Sequence, residues 1–135
     1  MRCLSVRQPM AAAIAAEVKL WENRSRRVIA DKRLPCWIGL HASQTWWGDI
    51  PQWPECPTKE QAPRSVILGA MLIGGQAHLD DMSEPLNRWA SGPICMRIDA
   101  YISLPEPIPA KGKLGLWLPE PDASAALLAL VRRYV

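Results

Sequence analysis

Residues 4–27 read LSVRQPMAAAIAAEVKLWENRSRR, and three hydropathy patterns follow one another within them. Leu4 and Val6 alternate with Ser5 and Arg7, the period of two that buries one face of a strand. Gln8-Pro9 then opens a helix, because a proline at the first helical position forfeits no N–H that the helix would have used. Residues 10–17, MAAAIAAE, are strong helix formers with small side chains, and only Met10 and Ile14 are large apolar groups. From Lys19 to Arg24 the period returns to two. Leu20, Glu22 and Arg24 point one way, and Trp21 and Asn23 the other. Strand, helix and strand in so short a stretch set the class as α+β.

Working outward, Cys36–His41 is a nearly continuous apolar run and reads as a buried strand. Ser65–His78 predicts a long strand with a bulge or bend at Gly74-Gly75. Pro93–Leu104 alternates strictly from Ile94 to Ile102 and predicts another. A Pro-rich turn over 105–113 precedes a short strand at Leu114–Leu118. The tail Ala123–Tyr134 places Leu127, Leu130, Val131 and Tyr134 at helical spacing, with Arg132 and Arg133 suiting its C-terminal dipole. Residues 43–64 hold four Pro and three Trp with little periodicity and read as a long loop, of the kind that often carries function. The expected architecture is a small mixed β-barrel of five or six strands, with an early short helix and a C-terminal helix, in one domain spanning 1–135.

Composition agrees. With 135 residues, 49% hydrophobic and 21% charged, the chain is globular rather than disordered. Thirteen Pro against eight Gly exclude a helix bundle. The net charge of +3 is mild, but residues 1–33 hold eight basic and three acidic side chains, a net of +5. A basic first third suggests one positive face that attracts phosphate. Seven Trp with no Phe add stacking faces and N–H donors beyond what core filling requires. The four cysteines show no Cys-x-x-Cys spacing and there are only two histidines, so no zinc motif exists and neither metal nor cofactor is expected. Cys3, Cys36 and Cys95 sit in apolar runs and read as buried thiols. The longest apolar run, Met10–Ala16, is too short to span a membrane, and Arg7 and Gln8 interrupt any signal-peptide pattern, so a cytoplasmic monomer is expected.

The opening stretch resembles the signature of ASCH domains, which belong to the PUA-like superfamily: a strand, a Gln-Pro helix start, then Gly-x-Lys-x-x-Glu-x-Arg. Lys19, Glu22 and Arg24 stand at the Lys, Glu and Arg positions. WIGLHAS (37–43), SVILGAMLIGGQAHLDD (65–81) and IPAKGKLGLWLP (108–119) resemble the family's later segments in the right order. The resemblance covers about residues 2–119, with the helix of 120–135 outside it. It implies a β-barrel with a cleft between the first helix, the Lys-Glu-Arg strand and neighbouring loops, and an association with RNA. Some small relatives are amidohydrolases that remove acyl groups from modified cytidine, in which a Lys activates a hydroxyl three residues later. That position is Glu22 here, which cannot be the same nucleophile. Glu17 also replaces the family's Gly before the Lys, at a helix end where Gly relieves strain, and Met10 replaces a common aromatic.

The candidate site therefore gathers Lys19, as a phosphate-binding point charge or a desolvated base, and Glu22, held ionised beside Arg24 to accept from a base edge or orient water. A salt bridge closing the barrel mouth is the structural alternative for Glu22 and Arg24. Arg26 and Arg27 extend a basic run suited to phosphate oxygens. Arg7 and Gln8 precede the helix, Lys111 and Lys113 flank Gly112 at a rim, and Trp46 and Trp47 are candidate base-stacking groups. His41, with Ser43 two residues on, reads as a hydrogen-bonded histidine at the core edge. The leading expectation is a domain binding RNA or a nucleotide-like ligand. One alternative is a hydrolase of RNA or a modified nucleoside with Lys19 and Glu22 as acid–base pair. A third is a protein-interaction module using the Trp46/Trp47 loop.

Overall fold

The computed structural model describes residues 1–47, 56–82 and 90–135. In chain order they form β1 (Cys3–Gln8), α1 (Met10–Ala15), β2 (Trp21–Arg24), β3 (Cys36–Trp46), β4 (Val66–His78), β5 (Ile94–Pro109), β6 (Leu116–Trp117) and α2 (Pro121–Tyr134). One-turn 3-10 helices lie at Asp31–Arg33 and Leu79–Asp81. The six strands make one mixed sheet, ordered β2-β5-β4-β3-β1-β6, in which only β1 and β3 run parallel.

The α+β class is as expected, but the barrel is not closed. The ladder stops at β2 on one side and at β6 on the other. These strands are four and two residues long, too short to carry a closing seam. A side chain bridges part of the gap instead: the Arg24 guanidinium donates to the Ser5 carbonyl on β1 at 2.7 Å. β1 lies four places from β2 in the ladder, about 19 Å away in a flat sheet at the usual strand spacing. The sheet therefore curls strongly, and Arg24 reaches the β1 edge that the two-residue β6 leaves uncovered.

Strand alternation divides the core into two layers. Leu4 and Val6 of β1 and Ile38, Leu40 and Ala42 of β3 face the α1 side, where they bury Met10, Ala11, Ala13 and Ile14 together with Met71 and Met96. Cys3, Ile67, Ala70, Leu104 and Trp117 face the other side, beneath Ala123, Leu127 and Leu130 of α2. A side chain at Gly39 would place its Cβ 2.9 Å from a Leu127 methyl and 2.5 Å from the Cys3 sulfur, so the close seating of α2 requires glycine there. Cys3 and Cys95 are buried as expected, whereas Cys36 is half-buried. Trp117 is buried, and Trp21 and Trp37 are half-buried against the two layers.

Several boundaries differ from expectation: the last strand, expected over Leu114–Leu118, is only Leu116–Trp117, and α2 starts at Pro121 rather than Ala123. β3 continues past His41 to Trp46, because Gln8 at the end of β1 pairs with Trp46 and prolongs the ladder. The Pro-rich turn is partly absorbed into β5. There, Ser103 and Ile108 pair with Gly69 and Ile67, and Leu104–Pro107 bow out between them. α1 ends at Ala15 rather than residue 17. The shift at Gly74-Gly75 is where the sequence placed it: Gly74 leaves room for the Asp99 carboxylate, which binds Arg97 at 2.7 Å. The rest of the expected 43–64 loop, Trp53 included, lies partly outside the described residues, as does Trp89. Among the described residues no helix is long and apolar enough to cross a membrane.

Candidate functional site

The turn after α1 positions Lys19. The Glu17 N–H donates to the Ile14 carbonyl at 2.9 Å and the Val18 N–H to Ala13 at 3.1 Å, the paired bonds of a Schellman ending. That ending needs a left-handed residue, and Glu17 adopts φ +60. The glutamate thus accepts the conformation that glycine takes without strain, and the turn is not rerouted. The Lys19 N–H adds a further bond to Ala13, which directs its side chain inward.

Lys19 is 2% exposed and Glu22, opposite Met96 in the ladder, is 6% exposed. The Lys19 ammonium lies 3.4 Å from Glu22 Oε1 and also donates to the Trp21 carbonyl. Arg24 takes the other carboxylate oxygen, with Nη2 at 2.8 Å and Nε at 3.0 Å from Oε2. Burial pushes the Lys19 amine below its ordinary range; the Glu22 carboxylate opposes that shift, and the Arg24 charge adds to it. Two cations thus share one carboxylate, and only Arg24 keeps solvent contact, with 24% of its side chain exposed. A recess of about 40 Å³ beside Lys19, lined among others by Ile14, Leu20, Ile98 and Tyr101, is of a size for water rather than for a base. Glu22 and Arg24 do not line it.

A second polar cluster sits on the opposite face of β1. Ser5 and His41 are register partners in the parallel β1–β3 ladder. The Ser5 hydroxyl is 3.0 Å from His41 Nδ1, and the Trp117 indole N–H donates to it at 3.0 Å. His41 Nε2 lies 2.7 Å from the Ala110 carbonyl. A carbonyl only accepts, so Nε2 carries the proton and Nδ1 of the neutral ring accepts from Ser5. Burial lowers the His41 pKa, against a smaller rise from the Ala110 bond, which favours that neutral form. Trp117 packs edge-on to the ring at a centroid distance of 5.2 Å. The sequence pointed to Ser43 as the partner of His41. Instead Ser43 Oγ accepts from the Thr45 N–H at 3.2 Å, a local turn bond.

The expected site residues separate accordingly. Gln8 is fully buried and spends its amide internally, donating to the Pro63 carbonyl at 2.7 Å and accepting from the Ala12 N–H at 2.9 Å in the first turn of α1. Arg26 and Arg27 are exposed, with Arg27 3.5 Å from Asp31. Arg7 is exposed on β1 beside Gln8, whose carbonyl accepts from the Trp47 N–H at 2.8 Å. Trp47 is 46% exposed and Trp46 half-buried. Gly112 packs so closely on Ser5 and His41 that an added Cβ would lie 2.5 Å from Ser5 Oγ, which brings exposed Lys111 and Lys113 to the same place. Segments around Arg7, Arg24, Trp47 and Lys111–Lys113 therefore meet around Ser5–Gln8 of β1, with Arg24 on the edge away from β3 and the Trp47 backbone on the β3 side.

Sequence reasoning missed Ser5. Its signal was the polar position it occupies on an otherwise apolar strand, matched by His41 interrupting another, but only strand register pairs them. Among the described residues no group of three metal-ligating side chains occurs. No protein-family model matches the chain, and no curated protein matches its sequence.

Proposed function

We propose that this chain is a nucleic-acid-binding module of the ASCH, PUA-like type that holds single-stranded RNA or a nucleotide-like ligand against the free edge of β1. One observation carries the reading: Arg7, Arg24, Lys111 and Lys113, far apart in sequence, belong to segments that converge on Ser5–Gln8, where the backbone of the exposed Trp47 is also bonded to Gln8. Convergent cations with an adjacent aromatic face are what backbone contact and base stacking require. In this arrangement Glu22 orients Arg24, and Lys19 holds Glu22. The hydrolase reading gains from the lowered Lys19 pKa but is less well supported, because each Glu22 oxygen already holds a cation and the recess beside Lys19 is small.

The test is fluorescence anisotropy with a labelled oligouridine at about 50 and 200 mM salt. Four phosphate contacts at roughly −0.7 each give a log–log slope near −2.8, a loss of about 50-fold between the two salts. Arg7→Ala with Lys111→Ala should reduce that loss to about 7-fold, and Trp47→Ala should cost about 1–3 kcal/mol. No binding at the lower salt, or an unchanged slope in the double variant, refutes the proposal.

A further inference from the structure

Lys19, Glu22 and Arg24 carry two positive charges against one negative, and only Arg24 keeps appreciable contact with solvent. We infer that an oxyanion, a phosphate or sulfate group, seats on Arg24, and that its binding is coupled to protonation of the buried Lys19, so that the site takes up a proton together with its ligand. The inference deepens the nucleic-acid reading and rests on it only for phosphate as the natural anion; what it adds is the control of that contact by pH.

A guanidinium has five N–H donors in one plane. Arg24 Nε donates to Glu22 Oε2 at 3.0 Å, and Nη2 donates to the Ser5 carbonyl at 2.7 Å while lying 2.8 Å from the same Oε2. Those contacts fix the plane. Nη1 takes part in none of the bonds that Arg24 makes among the described residues, so its two N–H groups remain. They are not sealed in. Among the described residues, Gln76 Oε1 is the only buried side-chain nitrogen or oxygen without a partner, so an unpartnered Nη1 reaches solvent. Two donors already held in place suit an anionic oxygen, because little side-chain freedom is lost when it binds.

The charge behind those donors depends on Lys19. Its ammonium faces Glu22 Oε1 at 3.4 Å while Arg24 holds Oε2, so one carboxylate links the two cations. With Lys19 protonated the three groups sum to +1; with Lys19 neutral they sum to zero. A dianion on Nη1 stands roughly 10 Å from the ammonium, and at an effective dielectric of about 20, screened by salt, raises the Lys19 midpoint by about one pH unit. Linkage makes this reciprocal: loss of the Lys19 proton weakens anion binding about tenfold. The titration lies within reach, because burial holds the Lys19 amine below its ordinary 10.5. Other groups also face Lys19. Burial raises the pKa of the Cys95 thiol and of the Tyr101 phenol on β5, which keeps both neutral through the lower part of that range. Glu17 and Asp99 line the recess beside Lys19, and Asp99 is bound to Arg97.

The isotope-labelled full chain is titrated by NMR from neutral pH to 10.5, in sodium sulfate and in sodium chloride of equal ionic strength. Sulfate keeps both its charges throughout. At neutral pH the Arg24 Nε–H signal should shift saturably with sulfate. The midpoint of the Lys19 Cε signal should rise by about one pH unit over its value in chloride, and those of Lys32 and Lys59 by far less. Sulfate affinity should fall about tenfold across the Lys19 titration, and in Lys19→Met it should be about tenfold weaker at neutral pH and independent of pH. The titration uses the unaltered protein, so it decides the matter even if a variant fails to fold. An unmoved Arg24 signal, a Lys19 midpoint equal in the two salts, or a rise that persists in Arg24→Gln overturns the inference. A Lys19 response to sulfate without oligouridine binding sinks only the nucleic-acid reading; oligouridine binding without that response sinks only the coupling.

Discussion

Glu22→Gln tests the ionic core most directly. The substitution preserves volume but removes the carboxylate that faces a 2%-exposed ammonium at 3.4 Å and an arginine at 2.8 Å. At an effective dielectric of about 20, a charge pair at that longer distance interacts by about 5 kcal/mol, and breaking one partner of a buried pair costs roughly 3–5 kcal/mol. With a urea slope of about 2 kcal/mol per molar, the midpoint should fall by about 1.5–2.5 M. The pH dependence has a definite sign. Lys19 titrates below its ordinary 10.5 in the folded protein, so between its folded pKa and 10.5 the unfolded chain binds more protons and stability rises with pH. Glu22 is the chief influence raising that pKa. Its loss lowers the folded value further and widens the window downward. The variant's deficit is therefore largest below its own lowered Lys19 pKa and shrinks as pH rises toward the wild-type folded value. Urea unfolding followed by tryptophan fluorescence across a pH series up to 10.5 measures it. Adding Lys19→Met should recover more than half of the loss by removing the buried charge. A deficit below about 1 kcal/mol, or one unchanged by pH, refutes the account of Lys19 and Glu22 as an interdependent buried pair.

Two further substitutions probe the frame around the site. Glu17→Gly relieves a left-handed residue at φ +60 and should raise stability by about 0.5–1 kcal/mol, or a melting temperature about 2–4 °C higher by calorimetry. A fall would contradict the Schellman ending. Gly39→Ala drives a methyl toward Cys3 and Leu127 and should cost about 1–3 kcal/mol in urea unfolding; a neutral result would mean that α2 is seated less closely.

How much of this was legible in the sequence varies with the range of the interaction. The strand–helix–strand opening and the C-terminal helix follow from local periodicity, and Leu127 and Leu130 are buried where helical spacing put them. The Glu22–Arg24 salt bridge was legible too, because residues two apart on a strand share a face. The end of β3 was not. Nothing local distinguishes Thr45 and Trp46 from a loop; a distant strand end, Gln8, pairs with Trp46 and extends the ladder. The Ser5–His41 contact was hidden for the same reason, and a nearby serine, Ser43, offered a false partner.

The surplus of tryptophan illustrates the division. Local pattern separates Trp21, Trp37 and Trp117, which fall in strands, from Trp46 and Trp47, which follow them. What each ring then does is a matter of three-dimensional neighbours: Trp117 donates to Ser5, and Trp47 is anchored through its backbone to Gln8 while its ring stays half exposed. By itself the sequence determined the α+β class, the basic first third and the Glu22–Arg24 pair, because periodicity and charge act between neighbours along the chain. The tertiary structure alone decided that the sheet stays open, that Lys19 is buried, and that the segments carrying Arg7, Arg24 and Lys111 meet at β1. Strand order and the curl of the sheet bring together residues that nothing in the linear pattern connects.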